Sequence, residues 1–119
     1  KRAAESGNPV AMCYLGSFYT LGRGVQKNND KAFYWYKKSA DTGDKIGLYY
    51  LGLCYERGVG IKQNFKEAFN YYKKSAELDY EDAFISLANL YFKGVGTEKN
   101  LQEAEKWYKK AASNENPIA

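Results

Sequence analysis

Leu51-Gly52-Leu53-Cys54-Tyr55-Glu56-Arg57-Gly58-Val59-Gly60, followed by Lys66-Glu67-Ala68-Phe69-Asn70-Tyr71-Tyr72-Lys73-Lys74-Ser75-Ala76, is the stretch on which the fold turns. Its pattern recurs 36 residues earlier and 36 residues later, without a gap. Leu15, Leu51 and Leu87 share a column, as do Tyr19, Tyr55 and Tyr91. The loop columns are Gly22, Gly58 and Gly94, then Gly24, Gly60 and Gly96, then Asn28, Asn64 and Asn100. Further on, Ala32, Ala68 and Ala104 align, then Trp35, Tyr71 and Trp107, then Tyr36, Tyr72 and Tyr108, then Ala40, Ala76 and Ala112. A fixed period of this length marks a repeat protein, in which each unit buries its apolar face against its neighbours.

Each unit reads as two helices. Ala11, Leu15, Phe18, Tyr19 and Gly22 follow a 3.6-residue period. This predicts helix A over 9–21, 45–57 and 81–93. Pro9 suits a first helical turn, with Asn8 before it as N-cap. Gly16 and Gly52 cost helix propensity. A glycine held at one column implies close helix–helix approach, and Ala88 meets the same need for a small side chain. Helix A stops at a Gly-x-Gly loop, where glycine permits positive φ. Helix B starts at Asn28, Asn64 and Asn100 and ends near Gly43, Asp79 and Glu115. Asn64 with Glu67, and Asn100 with Glu103, have capping-box spacing, which Lys31 breaks in the first unit. Ala32, Trp35, Tyr36, Ser39 and Ala40 form the stripe that helix B buries.

Composition narrows the chemistry. A chain of 119 residues that is 45% hydrophobic allows one folded domain. It has 12 Tyr, 6 Phe and 2 Trp, and seven of the Tyr fall in the repeat columns, which makes the aromatics mostly architectural. There is no histidine, so Ser-His-Asp triads, Cys-His dyads and His metal ligands are excluded within these residues. Two cysteines cannot build a four-ligand zinc site, and Cys13 and Cys54 occupy different columns, which argues against a mutual disulfide. The Gly-x-Gly loops lack the preceding strand, the third glycine and the Gly-Lys-Ser/Thr of a phosphate loop. Glu103 and Glu105 lie two apart on a helix and face different ways. No catalytic residue, metal ligand or cofactor is expected. A net charge of +4 is too mild to imply nucleic acid, and no apolar run reaches the length of a membrane span. There is no secretory apolar region near Lys1.

The quoted run, with its equivalents from Leu15 to Ala40 and from Leu87 to Ala112, resembles the Sel1-like repeat over essentially the whole chain. Departures are small: Ala88 stands for Gly, Tyr71 for Trp, and Asn28, Asn64 and Asn100 for Asp. The resemblance implies an all-α fold, a right-handed superhelical solenoid of antiparallel helix pairs with about three repeats and helix A on the concave side. It also implies a non-catalytic scaffold or adaptor for protein complexes. A disulfide-bonded bacterial branch of the family pairs cysteines within each repeat, and this sequence lacks those pairs. The expected division is 1–8 as the end of a preceding repeat, 9–44, 45–80 and 81–116 as the three repeats, and 117–119 as the start of a following one.

The columns that vary suggest where a partner binds. One face of helix A passes through Val10, Cys13, Ser17, Thr20 and Leu21, then Ile46, Tyr49, Leu53, Glu56 and Arg57, then Asp82, Ile85, Asn89, Phe92 and Lys93. In a helical-hairpin solenoid this face points into the groove. The expected partner-binding residues are Cys13, Ser17, Thr20, Tyr49, Leu53, Glu56, Arg57, Ile85, Asn89, Phe92 and Lys93. Tyr49, Leu53, Ile85 and Phe92 would form an apolar strip, and Glu56, Arg57 and Lys93 a charged rim. Cys13 on this face also reads as a small buried hydrophobe. Lys37-Lys38, Lys73-Lys74 and Lys109-Lys110 form a basic column along helix B, which reads as solvated helix ends compensating the dipole.

The leading expectation is a module that binds a partner peptide or helix in the helix A groove, hydrophobic contact carrying affinity and charge carrying specificity. The alternatives are a solenoid that binds a glycan or small polar ligand through groove tyrosines, and self-association through exposed end repeats into a homo-oligomer. Lys1-Arg2-Ala3-Ala4 matches the end of a helix B, and Asn116-Pro117-Ile118-Ala119 repeats Asn8-Pro9-Val10-Ala11. The chain therefore reads as a segment of a longer array, and a cytoplasmic setting is the default expectation.

Overall fold

The structure is a computed structural model that describes residues 8–21 and 28–115. Among these residues lie six α-helices and no strand: α1 (Pro9–Leu21), α2 (Asn29–Asp41), α3 (Lys45–Arg57), α4 (Phe65–Glu77), α5 (Glu81–Lys93) and α6 (Leu101–Glu115). The odd-numbered elements are helix A of each unit and the even-numbered ones helix B. Both sequence ends (Lys1-Arg2-Ala3-Ala4 and Asn116-Pro117-Ile118-Ala119) and the first Gly-x-Gly loop at Gly22 and Gly24 lie outside the described residues.

The helix starts follow local chemistry. Asn8 Oδ1 accepts from the N–H groups of Val10 and Ala11 at 2.9 and 3.2 Å, and Asp44 accepts from Ile46 and Gly47 at 3.0 and 3.1 Å. Helix B is capped by its asparagine in every unit. Asn28, Asn64 and Asn100 accept from the N–H groups of Lys31, Glu67 and Glu103 at 3.1, 3.1 and 3.0 Å. The reciprocal arm of a capping box is not what holds these asparagines. Their own N–H groups donate to the carbonyls of Tyr19, Tyr55 and Tyr91 in the preceding helix at 2.9, 2.8 and 2.9 Å. Lys31 therefore breaks nothing, because the donor that a glutamate would serve is already taken.

Two contacts set the antiparallel pairing. Ser39 Oγ donates to the carbonyl of Pro9 at 2.8 Å, and Ser75 Oγ donates to that of Lys45 at 2.7 Å. Each ties the last turns of helix B to the first residue of helix A in the same unit. Gly16 and Gly52 sit where the helices cross: a Cβ there would lie 2.8 and 2.9 Å from the rings of Tyr36 and Tyr72. Gly60 and Gly96 have φ of 71° and 75°, and a Cβ on them would collide with the carbonyls of Asn29 and Phe65. The second loop glycine thus serves both a left-handed backbone and a close approach to helix B of the preceding unit.

The core runs through every helix interface. Ala68, Tyr72, Phe84 and Leu87 are fully buried where the second and third units meet. Met12, Leu15, Tyr19, Ala32 and Tyr36 are buried in the first unit with Cys54 from the second. The stripe expected on α2 is buried at Ala32, Tyr36, Ser39 and Ala40, whereas Trp35 is only half-buried.

Candidate functional site

The tyrosines of helix B tie each helix pair together from beneath. Tyr36, Tyr72 and Tyr108 reach across their units, and each hydroxyl meets a polar side chain of helix A. Tyr36 Oη lies 2.9 Å from Ser17 Oγ, and Tyr108 Oη donates to Asn89 Oδ1. Ser17 and Asn89 share a repeat column whose middle member is Leu53, which has no acceptor. Tyr72 Oη instead donates to Glu56 Oε1, one turn further along, at 2.5 Å. A buried hydroxyl without a partner is costly, so the acceptor moves with the sequence. Burial raises the pKa of the Tyr72 phenol above its ordinary value, and the hydrogen bond to Glu56 raises it further.

This changes the roles of several expected binding residues. Ser17, Asn89 and Glu56 are acceptor or donor groups for core tyrosines before they are surface. Thr20 Oγ1 turns back on its own helix, donating to the carbonyl of Ser17 at 2.9 Å. Cys13 is the small buried hydrophobe that its type suggests: it is 4% exposed, with Sγ 3.2 Å from Ser39 Oγ, and it reaches only the floor of the smaller hollow described below. The reason is the close approach of α2, whose Ser39 sits under the start of α1. Burial pushes the Cys13 thiol up to about 11 and the Cys54 thiol up to about 12, so neither is a ready thiolate. Tyr49 is half-buried among the rings of Tyr50, Tyr72 and Tyr80, at centroid distances of 5.4, 5.6 and 5.3 Å. All three partners belong to the second unit, so Tyr49 serves mainly in that unit's packing.

Two adjoining hollows lie between α1 and α3. The larger, about 470 Å³, is walled by Tyr36, Tyr50, Leu53 and Val59, with Ser17, Thr20, Asn29 and Arg57 as polar lining. The smaller, about 330 Å³, is walled by Val10, Tyr14, Ile46, Tyr50 and Tyr80. Ser17 and Tyr50 belong to both, which makes them one groove. The Tyr50 ring stacks on Tyr36 at 4.9 Å and 9°, which makes the groove floor aromatic. Ser17, Thr20, Leu53 and Arg57 are therefore brought together. Ile85, Asn89, Phe92 and Lys93 are on α5 and line neither hollow, although Ile85 and Phe92 are exposed. Of the strip expected from Tyr49 to Phe92, Leu53 alone lines one of these hollows.

The sequence reading passed over Tyr14, Tyr50, Tyr80 and Asn29. A signal was present in the column of Tyr14, Tyr50 and Ser86, where the residue type changes between units. That is the mark of a position not fixed by the repeat interface.

The basic column of helix B is largely engaged with its own surface. Lys37 pairs with Asp41, Lys109 with Glu105 and Lys110 with Asp79 at 3.3, 3.5 and 3.3 Å. Lys38 and Lys74 lie over the rings of Tyr34 and Tyr71. Among the described residues no three His, Cys, Asp or Glu side chains cluster as metal ligands, and no helix is long and apolar enough to cross a membrane.

A family model described as Sel1 repeat matches residues 9–44, 46–80 and 85–116. A Sel1 repeat protein of Oxalobacter formigenes superposes with a TM-score of 0.86 at 37% identity, over 91% of this chain and 44% of that one. A protective antigen of uropathogenic Escherichia coli superposes at 0.91 and 35% identity, over 97% of this chain and 25% of that one. Helicobacter pylori cysteine rich protein B superposes at 0.76 and 27% identity, over 98% of this chain and 88% of that one. The chain thus spans less than half the length of the first two. No curated protein matches the sequence.

Proposed function

This chain belongs to the Sel1 repeat family, commonly a protein-interaction scaffold, and from that premise we propose that it is a non-catalytic module binding a partner peptide or helix in the helix A groove. The observation that carries this reading is the groove between α1 and α3. It combines an apolar, aromatic floor with exposed Tyr14 and Val10 at one end and polar Ser17, Thr20 and Asn29 at the other. An exposed apolar surface with a polar rim favours a protein ligand. The dimensions suit side chains of an extended or helical segment, not a folded domain.

The three repeats at 9–44, 45–80 and 81–116 act in this reading as one rigid frame for the groove. A photo-crosslinking residue at position 14 or 53 should capture a partner that one at position 34, on the outer face of α2, does not. The double variant Tyr14→Asp/Leu53→Asp should lose that partner while Tyr34→Asp keeps it. Capture unchanged by the double variant would sink the groove reading.

A further inference from the structure

Building on the groove reading above, we propose that the α1–α3 groove recognises an acidic peptide segment, with an Asp or Glu side chain at Arg57 and a neighbouring apolar side chain between Tyr14 and Tyr80. The groove is chemically graded along its length. Because α1 and α3 occupy the same place in consecutive units, their early residues lie at one end and their late residues at the other. Val10, Tyr14 and Ile46 make the early end apolar, with Tyr14 66% exposed. Thr20 and Arg57 make the late end polar and basic.

Charge decides between occupants. Arg57 is exposed and makes no ion pair among the described residues. The carboxylate next to it in sequence, Glu56, is engaged by the Tyr72 hydroxyl. Neither hollow is lined by Asp or Glu among the described residues. A carboxylate entering the larger hollow therefore meets a cation and no carboxylate among the described lining residues, and the planar guanidinium fork matches it in two-point geometry. A lysine entering the same place meets like charge. A nucleic-acid backbone needs a run of cations, whereas among the described residues Arg57 is the single cation lining the two hollows.

The test uses the full chain and blocked peptides, N-acetylated and C-amidated, each carrying one Phe near a position set to Asp, Asn or Lys. Binding is read by fluorescence polarisation. The Asp peptides should bind tightest, and Arg57→Gln should weaken them by up to about fivefold, the upper end for an exposed ion pair, and erase their advantage over Asn. Arg57→Lys should retain the preference and Arg57→Glu should shift it to the Lys peptides. Binding indifferent to charge but lost on Tyr14→Asp would overturn the acidic assignment and leave the groove reading standing. Binding untouched by both Tyr14→Asp and Arg57→Gln would overturn both. A preference for Asp that survives Arg57→Gln, or no binding by any peptide, also overturns the assignment.

Discussion

Tyr72 in the second unit and Tyr108 in the third occupy the same repeat column, yet Tyr72 is fully buried and Tyr108 only half-buried. Two differences separate them. Tyr72 crosses helix A at Gly52, where a Cβ would stand 2.9 Å from its ring, whereas Tyr108 crosses at Ala88, which already has that Cβ. Tyr72 is also covered by a neighbour, for Tyr49 packs against it and Phe84 and Leu87 of the next unit share its cluster. Among the described residues, nothing of a following unit covers Tyr108. The comparison teaches that one repeat residue has several energies, set by the small residue it crosses and by the unit stacked on it.

Removing the rings should show the largest contrast. Tyr72→Ala should cost about 3–5 kcal/mol of unfolding free energy, in the range for deleting a fully buried aromatic, and Tyr108→Ala clearly less. Urea denaturation followed by helical circular dichroism reads both. Equal losses would mean that burial in this column does not control stability.

The hydroxyl partners give the next effect. Glu56→Ala should cost about 1–3 kcal/mol by leaving the Tyr72 hydroxyl buried without its acceptor. Adding Leu53→Asn to that variant should recover part of the loss, because asparagine in this column accepts the tyrosine proton in the third unit. No recovery would mean that the column alone does not set the acceptor.

The thiols sharpen the comparison in another way, since both belong to the first two units. Folding holds Cys54 up to about 12 and Cys13 up to about 11 from an ordinary 9.0. Above pH 9 the unfolded chain releases these protons while the folded chain keeps them. Stability is therefore complete below pH 9 and falls as pH rises, by about 1 kcal/mol for each thiol at pH 10. Urea midpoints across pH 7 to 10 should show this fall, and Cys54→Ala should remove the Cys54 share of it, leaving that of Cys13. A fall that Cys54→Ala leaves as steep would place its origin elsewhere, in the buried tyrosines.

The smallest effect tests the crossing residue itself. Gly52→Ala gains helix propensity of about 1 kcal/mol but presses on the Tyr72 ring, at a typical overpacking cost of about 1–3 kcal/mol. The net should be a loss of about 1 kcal/mol. Ala88→Gly should lose about 1 kcal/mol through propensity alone if the Ala88 Cβ does not press on the Tyr108 ring. A stabilising Ala88→Gly would show that this Cβ holds Tyr108 out.

Much of the fold was legible before any coordinates. Helix A at Pro9–Leu21, Lys45–Arg57 and Glu81–Lys93 has the bounds that the 3.6-residue period and the loop glycines imply. The need for a small residue at Gly16 and Gly52 was legible too, and the Tyr36 and Tyr72 rings account for it. The groove was legible only in part. Leu53 and Arg57 lie where the helix face puts them, but Cys13 is buried by α2, and Ile85 and Phe92 on α5 are separated from the α1–α3 groove. A helical wheel says which residues share a face. It does not say how far the next helix covers that face.

The sequence by itself determined the period, the helix ends and the residues that cross between helices, because these depend on chain-local hydrogen bonding and on side-chain size at fixed spacing. Only the tertiary structure decided that Tyr72 finds Glu56 where its counterparts find Ser17 and Asn89, that the asparagine caps donate to tyrosine carbonyls, and that Tyr14, Tyr50 and Tyr80 shape the groove. The first two outcomes depend on the angle and distance at which helix A meets helix B within a unit, and the last on how one unit stacks on the next. Small differences in that packing reassign which side chain reaches which partner.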